Sequence, residues 1–176
     1  MLVLASGRGE RFLASGGSTH KLRALLAGKP VLDHVLDAVR ASGLPWHLED
    51  AGHPGMGDSI AAAVRATQEA RGWLILPGDL PLIQSASLVT LAAALRHHEV
   101  VVPTCNGQRG HPVGFSAKCL DSLLNLQGNQ GAALVIRSFN AIEIVINDIG
   151  VVTDIDTLDD LERAAELLSA RQTKAA

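Results

Sequence analysis

A chain of 176 residues with a hydrophobic fraction of 47% is long enough to form one domain with its own core, since a domain near this size removes roughly 70% of its extended surface from water. With 3% aromatics and no Tyr, the apolar content rests on Ala, Leu and Val, which excludes an aromatic-rich sandwich and favours helices layered on a sheet. A net charge of −3 offers no basic excess for a nucleic-acid surface, and two cysteines, Cys105 and Cys119, match neither a disulfide framework nor a zinc ribbon.

The chain opens on the apolar run Leu2-Val3-Leu4-Ala5, whose lack of alternation suits a strand covered on both faces. It breaks into Ser6-Gly7-Arg8-Gly9-Glu10-Arg11-Phe12, with Lys21 downstream. Glycines let backbone N–H groups approach an anion closely, while Arg8, Arg11 and Lys21 add positive charge that suits a triphosphate. The usual spellings of such loops do not fit. Phe12 stands where a dinucleotide fingerprint has its third glycine, and no Gly-Lys-Ser/Thr exists for a P-loop. An ordinary strand-to-helix turn with solvated arginines is the alternative reading of the same residues. The apolar start reaches Gly7 and Arg8 too soon for a signal peptide, and no stretch approaches ~18 apolar residues, so a cytoplasmic protein without a membrane partner is expected.

Gly16-Gly17-Ser18-Thr19 reads as a mobile flap. Val31, Leu32, Val35, Leu36 and Val39 recur at helical spacing and stop at Ser42-Gly43. Between Pro45 and Ala51 there is room for one short strand. The turn His53-Pro54-Gly55-Met56-Gly57-Asp58-Ser59 then opens a helix over Ile60 to Ala70, with Asp58 or Ser59 expected as its N-cap. A helix start beside glycines is a second candidate site for an anion or a ribose.

Trp73-Leu74-Ile75-Leu76-Pro77 is a second buried strand, and it delivers Gly78-Asp79-Leu80-Pro81 to its carboxyl end. A helix around Ser87 to Arg96 and a strand Val100-Val101-Val102-Pro103 follow, then the turn Asn106-Gly107-Gln108-Arg109-Gly110-His111-Pro112 into Val113-Gly114-Phe115. Short helices are expected around Lys118 to Leu124 and Gly131 to Ser138, and a strand over Ile142 to Ile146. Thr157 with Asp160 forms a capping box for a last helix striped by Leu158, Leu161, Ala165 and Leu168. One domain over residues 1–170 results, with residues 171–176 as a fraying tail.

Strands alternating with helices imply βαβ units and a mostly parallel, Rossmann-like sheet covered on both faces, and such sheets place ligands beyond the carboxyl ends of their strands. The Gly7 loop, Asp79 and the Asp154/Asp156 pair should then meet at one edge. A basic glycine loop plus carboxylates from separate strands suits a nucleoside triphosphate and Mg²⁺, which takes one or two carboxylates and completes its octahedron with water and phosphate oxygens. A dinucleotide-binding oxidoreductase is disfavoured by the missing glycine and the missing acidic residue about 20 positions on.

Five ordered motifs carry a resemblance: Leu4-Ala5-Ser6-Gly7-x-Gly9-x-Arg11-Phe12 with Lys21, Gly55-Met56-Gly57-x-Ser59, Gly78-Asp79-Leu80-Pro81, Gly107-Gln108-Arg109-Gly110-His111-Pro112-Val113, and Asp154-Ile155-Asp156-Thr157-x-x-Asp160-Leu161. Together they resemble the MobA-like nucleotidyltransferases, most of all the molybdenum cofactor cytidylyltransferases. The resemblance implies the nucleotide-diphospho-sugar transferase type of fold, here shortened by about one strand-helix unit. It also implies Mg²⁺-dependent transfer of CMP or GMP from CTP or GTP to the terminal phosphate of molybdopterin, with release of pyrophosphate.

By position, it makes Lys21, Arg11 and Asp79 catalytic, and Asp79 and Asp156 metal ligands. It places Leu4, Ala5, Ser6, Gly7, Arg8, Gly9, Arg11, Lys21, Met56, Gly57, Ser59 and Gly78 around the nucleotide, and Arg109, Gly110, His111, Pro112 and Asn129 around the acceptor. Leu4-Ala5-Ser6-Gly7 is nearer the Leu-Ala-Ala-Gly of cytidylyl enzymes than the Leu-Ala-Gly-Gly of guanylyl ones, so CTP is the expected nucleotide. A molybdoenzyme or its chaperone would receive the product. Asn129 stands where the family has Asp, and Ala133 where it has Arg, which leaves a different phosphorylated acceptor or a non-catalytic member as alternatives.

Overall fold

The computed structural model describes residues 1–175. Its sheet is built on β1 (Leu2–Leu4), which pairs in parallel with β4 (His47–Glu49) on one side and β5 (Gly72–Pro77) on the other. Next to β5 comes β8 (Val113–Ser116), which runs antiparallel to both β5 and β6 (Val100–Cys105). Strand β9 (Ala141–Val145) pairs in parallel with β6, and the two-residue β7 (Gln108–Arg109) folds back on its end. All the long strands except β8 therefore point the same way. Strand β8 reverses because the turn before it is a hairpin rather than a helical crossover. It fits between β5 and β6 through Gly114, where a Cβ would lie 2.4 Å from Val101 Cγ2.

Successive residues on each strand face opposite layers, as the two-residue period of a strand requires. Leu2, Trp73, Ile75, Val100, Val102 and Phe115 pack on one face against Ile60, Ala63 and Val64 of α3 (Met56–Arg65), Leu123 of α5 (Leu120–Leu124) and Val135 of α6 (Ala133–Ser138). On the other face, Val3, Leu74, Leu76 and Val101 meet Val35, Leu36 and Val39 of α2 (Val31–Ala41) and Leu88 and Leu91 of α4 (Ser85–Ala94). This is the expected three-layer α/β/α arrangement. Both cysteines are free and buried.

A third, smaller cluster sits beside the carboxyl ends of the strands. There Phe12 of α1 (Glu10–Ala14), Leu22, Leu26 of β2 (Leu25–Leu26) and Val31 pack on Leu82, Ile155 and Ala164 of α7 (Leu158–Ala175). The short hairpin β2–β3, with β3 at Lys29–Pro30, leads from this cluster into α2.

Several boundaries differ from the sequence expectation. Helix α3 begins four residues early, at Met56, and its N-cap is Gly55 without a side-chain hydrogen bond, not Asp58 or Ser59. Asp58 instead accepts from Gly128 N at 2.9 Å, which clamps the Gly128–Gln130 turn against the helix. Gly55 is required by that closeness, since a Cβ there would stand 2.3 Å from the Gly128 carbonyl. The Gly16–Thr19 segment is folded onto α1: Gly17 N donates to Phe12 O at 3.1 Å, and the neighbouring Ser15 Oγ accepts from Leu158 N at 3.0 Å. The capping box holds, with Asp160 Oδ2 accepting from Thr157 N at 2.8 Å. Helix α7 continues to Ala175, through most of the stretch expected to fray, and Arg171 donates to Leu82 O at 2.9 Å. Ala176 lies outside the described residues.

Candidate active site

Beyond the carboxyl ends of β1 and β5 lies a cavity of about 520 Å³. Its floor is the loop after β1, its walls are the start of α3 and the turn after β5, and its far side is the Asp154–Asp156 segment before α7. Of the nucleotide-binding residues expected from the sequence, Leu4, Ser6, Gly7, Arg8, Gly9, Arg11, Lys21, Met56, Ser59 and Gly78 line it, while Ala5 and Gly57 do not. Both expected metal ligands, Asp79 and Asp156, are there.

Lys21 is the centre of this arrangement. Its Nζ donates to Asp79 Oδ2 at 2.6 Å and to Asp156 Oδ1 at 2.8 Å, and its side chain is only 13% exposed. Arg11, on the open side, approaches Asp156 Oδ2 at 2.5 Å. Burial works against the Lys21 charge, but the field of Asp79 and the hydrogen bonds to Asp156 and Asp79 outweigh it and raise the ammonium above its usual pKa. The ammonium is thus fixed. Asp79 Oδ1 is buried with no hydrogen-bond partner, an unusual state for a carboxylate oxygen. Asp154 also lines the cavity; desolvation raises its carboxyl pKa, and the charges of Asp79 and Asp156 add to the effect.

The two aspartates share a region because of backbone geometry. Gly78 N donates to Leu4 O at 2.8 Å, which aligns the turn carrying Asp79 with the end of β1. Among the described residues, no group of three or more His, Cys, Asp or Glu side chains is arranged to hold a metal ion. A pair of aspartates with one unpartnered oxygen instead suits a hard, partly hydrated divalent cation that draws its remaining ligands from phosphate and water.

The opposite wall is hydroxyl-rich. Ser6 Oγ and Ser59 Oγ share a hydrogen bond of 2.5 Å, and Ser59 donates onward to Gly55 O at 3.2 Å. Met56, half exposed at the start of α3, lines the same cavity as Asn129 and His53.

The expected acceptor residues are split. His111 and Asn129 line the cavity, whereas Arg109, Gly110 and Pro112 do not. Arg109 Nη2 lies 2.7 Å from Glu143 Oε1 on exposed β9, an attachment that only the pairing of β6 with both β7 and β9 creates.

Three structural residues escaped the sequence reading. His20 Nδ1 accepts from Leu22 N at 3.3 Å, which leaves Nε2–H to donate to Gly7 O at 2.6 Å, so the ring ties the glycine loop to the turn carrying Lys21. Buried Glu49, at the end of β4, receives His53 Nε2 at 3.0 Å and Ala51 N at 3.3 Å, which sets His53 at the cavity. Asp148, 3% exposed, accepts from Gln84 N at 2.9 Å, Ser87 Oγ at 2.8 Å and Gly150 N at 3.0 Å, anchoring the segment that leads to Asp154 and Asp156. None of the three sits in a recognisable spacing; a histidine immediately before a short turn is the faintest of signals.

Comparison with known proteins adds to this geometry. The profile of a family described as the MobA-like NTP transferase domain matches residues 37–143. Among curated proteins, the bifunctional protein GlmU of Nitrosomonas europaea is 28% identical over 149 residues, which cover 71% of this chain and 31% of that protein. The chain therefore spans less than a third of the length of such relatives. Among solved structures, Rv0371c of Mycobacterium tuberculosis H37Rv superposes with a TM-score of 0.79 at 23% identity, over 94% of this chain and 96% of that one. The same protein, solved as a complex with manganese, gives 0.77 at 22% identity over the same shares of the two chains. The molybdopterin-guanine dinucleotide biosynthesis protein A of Archaeoglobus fulgidus gives 0.70 at 19% identity, over 96% of this chain and 98% of its own. No helix among the described residues is long and apolar enough to cross a membrane.

Proposed function

Because this chain belongs to the family of MobA-like NTP transferase domains, we propose that residues 1–170 form one metal-dependent nucleotidyltransferase domain. It would transfer CMP, or GMP, from the triphosphate to the terminal phosphate of a molybdopterin-type acceptor and release pyrophosphate. The observation that carries the reading is the convergence of Lys21 from the first loop with Asp79 and Asp156 from two distant loops. CTP is favoured over GTP by Leu4-Ala5-Ser6-Gly7, and the molybdopterin acceptor by the motif resemblance together with the fold shared with the Archaeoglobus fulgidus protein.

In this reading the glycine loop, Arg8 and Arg11 receive the β- and γ-phosphates, and Lys21 meets them as a point charge. Ser6, Ser59 and Met56 lie along the ribose and base, with His53 held toward them by Glu49. Asp79 and Asp156 hold Mg²⁺, which when bound supplies Lewis-acid stabilisation of the charge that develops on the α-phosphate and the leaving group. An acceptor phosphate oxygen bonds to the α-phosphorus while the bond from that phosphorus to the bridging oxygen breaks. Pyrophosphate leaves with the electron pair, and Lys21 and Arg11 offset its charge. His111 and Asn129 face the acceptor. Product delivery to a molybdoenzyme or its chaperone completes the proposal.

A sugar phosphate is the second acceptor to consider, because only His111 and Asn129 of the five expected acceptor residues reach the cavity. The deciding experiment measures Mg²⁺-dependent pyrophosphate release from CTP and from GTP, with molybdopterin and with sugar 1-phosphates. Release with molybdopterin supports the proposal. Release with sugar phosphates alone transfers it to that acceptor class, and no release with any pair rejects catalysis.

A further inference from the structure

The two carboxylates assigned to the metal are already engaged by cations belonging to the chain. Lys21 Nζ stands between Asp79 Oδ2 and Asp156 Oδ1, at 2.6 and 2.8 Å, while Arg11 covers Asp156 Oδ2. Asp156 therefore has a cationic nitrogen on both oxygens, and Asp79 keeps only its buried, unpartnered Oδ1. Lys21 is no loose surface lysine. Its stem is buried, and its backbone starts a short turn whose preceding residue, His20, is fixed to Gly7 O and Leu22 N.

We propose that Lys21 is an internal counter-ion that keeps free divalent cations off Asp79 and Asp156 until a nucleoside triphosphate draws its ammonium away. The idea rests on the nucleotidyltransferase reading of the site. A divalent cation on the same oxygens would meet a like charge a few ångströms away in a partly buried site, where water screens weakly. It would also have to displace hydrogen bonds already made. The two aspartates alone do not offer enough negative charge to hold both cations. A triphosphate does, because its oxygens take the ammonium as readily as the carboxylates do and bring further ligands for the metal. Metal and nucleotide then bind with positive coupling, and the coupling is reciprocal. In this account Lys21 is a positioning residue for the cation as well as a partner of the phosphates.

The test titrates Mn²⁺ alone, without nucleotide or acceptor, into the full chain and counts free Mn²⁺ by electron paramagnetic resonance. Wild type should bind weakly, and Lys21→Met and Lys21→Gln more tightly by about tenfold or more. Adding Asp79→Asn to Lys21→Met should remove the gain, which places it at this site. Equal or weaker Mn²⁺ binding by both Lys21 variants overturns the proposal. Thermal melting reads the same inequality in a marginally stable variant, since Mn²⁺ should raise the melting temperature of the Lys21 variants more than that of wild type. A non-hydrolysable CTP analogue should then tighten Mn²⁺ binding more in wild type than in Lys21→Met, and equal tightening removes the release step. An analogue that does not bind speaks against the nucleotide reading, while the comparison with Mn²⁺ alone still decides the counter-ion.

Discussion

Ile155 N donates to Asp79 O at 2.9 Å, so the loop after β5 and the loop before α7 are joined through their main chains. The side chain of Asp79 and that of Asp156, one residue past the junction, are thereby held on either side of Lys21. A main-chain bond tolerates side-chain substitution, so the chemistry of this pair is separable from its placement.

Asp79→Asn should lower metal-dependent pyrophosphate release by about two orders of magnitude or more, because it removes a charged ligand while preserving shape. Circular dichroism and thermal melting should show the fold retained. Unchanged turnover in the variant would remove Asp79 from the metal site.

Lys21→Ala should weaken CTP binding by about tenfold, the loss of one charge-assisted contact to phosphate. Calorimetry with CTP and Mg²⁺ measures it, and equal affinity in the two proteins would detach Lys21 from the triphosphate.

Asp148→Ala should destabilise the fold by about 3 kcal/mol, since it leaves the buried donors of Ser87 and Gly150 and the half-buried one of Gln84 unpaired together. Urea unfolding gives the number. Asp148→Asn, which keeps one acceptor oxygen, should lose less, and a loss below ~1 kcal/mol in the alanine variant would show that water replaces the network.

Glu49 supplies a pH signature. Burial pushes its carboxyl pKa up, but hydrogen bonds from His53 and Ala51, with His47 Nε2 close by at 3.6 Å, more than reverse this, leaving it below the ordinary glutamate value of 4.5. A depressed carboxylate contributes stability that is present above the unfolded pKa and lost as pH falls through the folded one. Melting temperatures of wild type should therefore decline as pH falls below about 4.5, and Glu49→Gln should show a shallower decline there. Parallel profiles for the two proteins would deny Glu49 this role.

The capping box at Thr157, the apolar stripe of α2 and the buried strands β1, β5 and β6 were all legible in the chain, because each depends on residues a few positions apart. The start of α3 departs from the sequence expectation for a reason of the opposite kind. Gly55 and Gly57 read as a turn, yet their lack of side chains serves the approach of Gln127 and Gly128, far along the chain. Arg109 likewise looked free to meet a ligand, and Glu143 on a neighbouring strand takes it.

By itself, the order of residues determined the alternation of strands and helices, the basic glycine loop and the delivery of acidic residues to strand ends, since local periodicity and turn chemistry act over one or two turns of chain. Only the tertiary structure decided that β8 runs against its neighbours, that His20, Glu49 and Asp148 brace the cavity, and that Lys21 lies between Asp79 and Asp156 rather than in solvent. The Glu49 and His20 braces are short-range contacts that no sequence periodicity marks, while the strand reversal and the Asp148 and Lys21 contacts join segments tens of residues apart, whose partners are chosen by packing of the whole sheet.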